Sequence, residues 1–181
     1  QVFNMDESGG TYNRHGIWAY SNSRAIVSSG KGVKNSSGID ILASNGSIIE
    51  ANGAGVLQGT KIVANYGSII NARQASAKQI TAAYGSIVDA SGTTTSGPAT
   101  NGFTAAYGSI VDASNATASG FTDYGFFATH GAVINANGAT ASEDGQYGFF
   151  VHNGGIIAAY ASTGTLYITA NIISSRGIIF K

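Results

Sequence analysis

The stretch AAYGSIVDAS runs from Ala82 to Ser91 and returns letter for letter from Ala105 to Ser114, so Asp89 and Asp112 sit in identical surroundings. If the two copies lie side by side, the carboxylates stand about 4.8 Å apart at the backbone. Like charges that close raise one pKa, which is one way to make a general acid. Cleavage of a glycosidic bond uses such a pair, with the carboxyl groups about 5 to 9.5 Å apart. Asp89 and Asp112 are therefore the candidates for catalysis. The same position in the neighbouring copies reads Glu50, Asn71, Asn135 and Ala158. Two aspartates flanked above and below by their near-isostere asparagine are the pattern of short polar groups hydrogen-bonding along a ladder, and a catalytic pair gives no reason for it. The ladder is the favoured reading, and no catalytic residue is assigned. Asp123, Glu143 and Asp144 fall in turn-like segments and Asp6 and Glu7 near the start, with SEDGQYG reading as a solvated loop.

A second chemistry is aromatic. Tyr66, Tyr84 and Tyr107 each precede the glycine of a repeated phrase. Stacked at a glycine bend, they form either a strip for sugar rings, whose apolar faces suit aromatic faces, or an aromatic ladder at a corner. Trp18 and Tyr20, with Tyr12, Arg14 and His15 close by, form the densest aromatic group near the start. That group binds glycan or shields the open end of the fold. His130 and His152 have no HxxxH or HExxH partner and read as surface groups. The chain has no cysteine, and the GGxGxDxUx calcium motif is absent, so neither a metal nor a cofactor is expected.

The elements that must position these residues are repeats. Gly46, Gly67, Gly85, Gly108, Gly131 and Gly154 anchor NGSIIEA, YGSIINA, YGSIVDA twice, HGAVINA and NGGIIAA, at intervals of 21, 18, 23, 23 and 23 residues. Weaker copies near Arg24 and at the end of the chain bring the total to seven or eight. Periods near 20 rich in glycine and β-branched residues mark a solenoid. Five and three residues before each anchor stand Ile41, Ile62, Ile80, Phe103, Phe126 and Phe149, then Ala43, Ala64, Ala82, Ala105, Ala128 and Val151. Three and five after it stand Ile or Val, then Ala51, Ala72, Ala90, Ala113, Ala136 and Ala159. Side chains alternate along a strand, so these columns read as core. A Thr- and Ser-rich third segment closes each coil. The fold expected is all-β, a right-handed parallel β-helix of about 7–8 coils, with residues 1–37 as N-terminal cap and first coil, 38–160 as regular repeats and 161–181 as a final degenerate coil. The right hand is inferred from coil size.

Two further columns should face outward: Leu42, Val63, Thr81, Thr104, Phe127 and Phe150 on the first strand, and Ile48, Ile69, Ile87, Ile110, Val133 and Ile156 on the second. Apolar rows on wet faces are unusual in a monomer. They predict self-association, with Phe127, Phe150, Ile69, Ile87 and Ile110 at the interface, unless the turns bury them. Charge is scarce, 10% of residues with nine basic and nine acidic, so a nucleic-acid partner is disfavoured, and no apolar run nears 18 residues, so membrane insertion is not expected. The abrupt start at QVFNMDESGG and end at RGIIFK raise the expectation of a segment of something longer.

The phrases AAYGSIVDASGTTTSG, AAYGSIVDASNATASG and YGFFATHGAVINANGATAS resemble the β-helical repeats of bacteriophage tail fibre and tailspike receptor-binding proteins, over about Ile39 to Tyr160. The resemblance implies a parallel homotrimer in the virion tail that binds or degrades a bacterial surface polysaccharide. Adhesins of the bacterial cell surface and polysaccharide hydrolases or lyases share the architecture, and no catalytic motif of those enzymes is matched here.

Overall fold

A computed structural model describes residues 15–27, 39–53, 61–142, 147–164 and 177–180. All regular structure among them is β-strand, in three parallel sheets. The first holds seven strands, His15–Tyr20, Ile39–Ser44, Lys61–Ala64, Gln79–Ala82, Asn101–Ala106, Tyr124–Thr129 and Tyr147–His152. The second holds eight: Arg24–Ile26, Ile48–Glu50, Ile69–Asn71, Ile87–Asp89, Ile110–Asp112, Val133–Asn135, Ile156–Ala158 and Ile178–Phe180. The third holds five: Ser76–Ala77, Thr94–Ser96, Thr117–Ser119, Thr140–Ser142 and Thr163–Gly164. The chain visits the sheets in turn, each strand pairing with its equivalent one coil away, so the protein is a parallel β-helix. Five coils carry all three sides among the described residues, and the first two sheets extend beyond them, close to the expected coil number.

The core follows the predicted columns. Ile41, Ile62, Ile80, Phe103, Phe126 and Phe149 are fully buried, as are Ile49, Ile70, Val88, Val111, Ile134 and Ile157 on the second sheet. The phenylalanines stack at 4.8 and 4.9 Å between ring centroids, the coil repeat written in side chains. Gly102 makes room for the Phe121 ring: a Cβ there would meet Phe121 Cε2 at 2.7 Å and Gly125 O at 2.8 Å. The Thr- and Ser-rich segment is a regular sheet whose inner positions are Ala77, Thr95, Ala118 and Ala141.

The corner between the first two sheets is a pair of left-handed residues. Asn45, Tyr66, Tyr84, Tyr107, His130 and Asn153 have φ of 45 to 55°, and each following glycine has φ near 70°. Two successive positive φ values bend the chain sharply from the first sheet to the second within a residue or two, which is why glycine stands second. These turns are paired along the axis as well: the N–H groups of Gly46, Gly67, Gly85 and Gly108 each donate to the corner carbonyl of the next coil at 3.0 Å. Beside the corner, Ser47, Ser68, Ser86 and Ser109 are fully buried, and the Ser86 and Ser109 hydroxyls accept the N–H groups of Ser68 and Ser86 at 3.2 Å.

Candidate functional site

The repeat places Asp89 and Asp112 on adjacent strands, in direct register. Each carboxylate is engaged by its own turn. Ser91 N–H and hydroxyl donate to Asp89 Oδ1 at 3.2 and 2.9 Å, and Arg73 Nε donates to Asp89 Oδ2 at 2.5 Å. Ser114 N–H and hydroxyl donate to Asp112 Oδ1 at 3.1 and 2.6 Å, and Asn135 Nδ2 donates to the same oxygen at 3.1 Å. Asn135 Oδ1 in turn accepts Asn137 N–H at 3.3 Å. Aspartate and asparagine thus do one job in one column: they satisfy the backbone donor two residues on. Among the described residues no group of three His, Asp or Glu could hold a metal ion.

Tyr66, Tyr84 and Tyr107 form a continuous stack, with centroids 4.9 Å apart and planes within 6° and 1°. His130 extends it at 4.6 Å from Tyr107, and Nε2 of its ring accepts from Asn153 Nδ2 at 3.3 Å. All three tyrosines are about half exposed, yet their faces are turned on one another along the axis. The strip therefore offers ring edges and phenol hydroxyls to solvent, not the stacked platform expected for a pyranose. Trp18 and Tyr20 project from the first strand, exposed, in an edge-to-face pair at 5.8 Å. Tyr12 and Arg14, like Asp6, Glu7, Glu143 and Asp144, lie outside the described residues.

Both predicted outward columns do face outward, with different exposure. On the second sheet Ile87 and Ile110 are 43% and 45% exposed, and Ile48, Ile69, Val133 and Ile156 are partly so. On the first sheet Leu42 and Val63 are buried although they lie off the core, while Phe127 and Phe150 are partly exposed.

Phe127 and Phe150 belong to a cluster that sequence reasoning missed. Tyr124 stacks on Phe150 at 4.5 Å with planes 8° apart and lies 5.2 Å from Phe127; Tyr147 lies 5.5 Å from Phe150 and 5.9 Å from Tyr124, and the His152 ring is 6.4 Å from Phe150. The repeated YGFF supplies both halves: tyrosine and the second phenylalanine are three apart, on the outer face, while glycine and the first phenylalanine turn inward. One coil earlier the equivalent strand is NGFT, and Asn101 and Thr104 continue the two columns. Asn101 Nδ2 donates to Thr104 Oγ1 at 3.4 Å, and its Oδ1 is buried with no hydrogen-bond partner. Burial raises the Tyr124 phenol above its ordinary pKa, and the charge of Asp123 and the neighbouring Tyr147 add to the effect. The cluster is an apolar floor edged by two phenols, an imidazole and an amide.

This class of fold, a three-sided parallel β-helix with aromatic groups on its outer faces, is what the geometry defines. Compared with protein-family models, curated proteins and solved structures, the chain finds no match in any of the three.

Proposed function

We propose that the chain is a structural and recognition module of the bacteriophage tail fibre or tailspike type, assembled as a homotrimer in the virion tail and binding a bacterial surface polysaccharide without cleaving it. The observation that carries the reading is the Tyr124, Phe127, Tyr147 and Phe150 cluster. It combines apolar carbon with polar tips on a rigid sheet, the combination that sugars need. The turn bonding of Asp89 and Asp112 favours binding over hydrolysis, because both carboxylates already hold backbone N–H groups. An adhesin of the bacterial cell surface would use the same face in the same way.

The experiment is incubation with a panel of purified capsules and lipopolysaccharides, scoring binding and released oligosaccharide separately. Binding to at least one polysaccharide with no oligosaccharide release is the expected result. Release of oligosaccharides, abolished by Asp89→Asn with Asp112→Asn, would make these aspartates catalytic and replace this reading with a depolymerase.

A further inference from the structure

The second sheet carries a feature that glycan recognition does not use. The outward column two residues past each anchor runs Ile48, Ile69, Ile87, Ile110, Val133 and Ile156, and the register adds Ile178, so seven successive strands present an aliphatic side chain. The outer column of the first sheet, by contrast, is interrupted by Thr81 and Thr104. We infer that the second sheet's outer face is the seam at which copies of this chain associate, column against column, leaving the aromatic cluster of the first sheet free for ligand. The inference rests on the self-assembly in the proposed function and adds which face makes it.

Charge, area and spacing argue for a second copy as the occupant. Two carboxylates on this face are matched within the chain: Arg24 pairs with Glu50 and Arg73 with Asp89, both at 2.5 Å. Asp112 has no ion-pair partner among the described residues and keeps its charge, held by hydrogen bonds from Asn135 and Ser114, so it is the one carboxylate of the column that the approach of a like face must accommodate. Eight strands about 4.8 Å apart make the face about 34 Å tall, and corner to corner it is about 25 Å wide. That is close to the roughly 800 Å² that each partner contributes to a stable interface. A second copy presents the same aliphatic column at the same strand spacing, so each of the seven side chains finds an equivalent opposite it.

The test is particle mass by light scattering at micromolar concentration, for wild type, for Ile87→Asp with Ile110→Asp, and for Phe127→Asp with Phe150→Asp. The wild type and the phenylalanine variant should be assembled, and the isoleucine variant should run at 18.3 kDa with an unchanged far-ultraviolet spectrum. An assembled isoleucine variant beside a dissociated phenylalanine variant would move the seam to the first sheet and overturn the inference while sparing self-assembly. A wild type of 18.3 kDa would remove self-assembly and the inference together. Should the aspartates prevent folding, Ile110→Cys in this cysteine-free chain gives the answer, because Ile110 is the middle of the seven and meets its copy whichever way the second chain runs. A disulfide-linked pair on oxidation supports the seam, and its absence in an assembled protein overturns it.

Discussion

Tyrosine is a costly choice at a corner that requires positive φ. A non-glycine residue in the left-handed region costs on the order of 1 kcal/mol or more, and asparagine, which holds the same corner at Asn45 and Asn153, tolerates it best. Each stacked aromatic pair returns about 0.5 to 1.5 kcal/mol. Tyr84 has two stacking partners and Tyr66 one among its tyrosine neighbours, so the balance differs along the strip. Tyr66→Asn should be within about 0.5 kcal/mol of neutral, and Tyr84→Asn should destabilise by about 1 kcal/mol more. Denaturant midpoints of the two variants check this; equal effects would mean that stacking does not hold the strip. Asp89→Asn removes an ion pair with an exposed Arg73 and should cost less than about 1 kcal/mol. Relief of repulsion from Asp112, in register one coil away, acts in the opposite direction.

Tyr124 supplies a pH test. Its phenol is raised above the ordinary value of about 10, so the folded state favours the protonated form. The corresponding stability is fully present below about pH 10 and is lost as pH rises through the folded pKa. Measured between pH 9 and 11, unfolding midpoints should fall more steeply for the wild type than for Tyr124→Phe. Parallel slopes would show that the phenol is not held in the cluster.

For the strands and corners, legibility followed periodicity. The inward columns could be read because alternation puts Ile80 and Ala82 on one face, and both are fully buried. The Asp and Asn column could be read because its members recur at one offset from a glycine. The Tyr124 and Tyr147 rings could not, since they stand seven residues before their anchors, outside the recurring phrase, and acquire their neighbours only through pairing between coils. The stack of Tyr66, Tyr84 and Tyr107 could be read as an aromatic ladder at the corner, because the three recur one residue before the anchor glycine; stacking along the axis consumes the faces a sugar ring would need. The buried serine column is not legible in the sequence because serine ordinarily marks a surface, whereas here its hydroxyl accepts a backbone N–H in the core. Glycine shows the same dependence on packing. Gly102→Ala should destabilise by about 1 to 3 kcal/mol through overlap with Phe121 and the Gly125 carbonyl, measurable as a lowered unfolding midpoint. A silent substitution there would mean that Phe121 does not fill this space.

For the molecule as a whole, a solenoid bonded along its axis should unfold slowly, and the proposed aliphatic seam would slow it further. The assembly is expected to survive detergent without heating and to dissociate only when heated, as a band shift on gels would show. The proposed recognition surface then belongs to a rigid body, and affinity should depend on the side chains of the cluster more than on ordering of backbone. The most direct measurement is therefore a binding isotherm of a purified surface polysaccharide with wild type, with Tyr124→Ala plus Phe150→Ala, and with Tyr84→Ala. The prediction is loss of at least tenfold in affinity for the cluster variant, little change for Tyr84→Ala, and assembly retained in all three. Unchanged affinity in the cluster variant, with loss in Tyr84→Ala, would contradict it and place recognition on the corner strip.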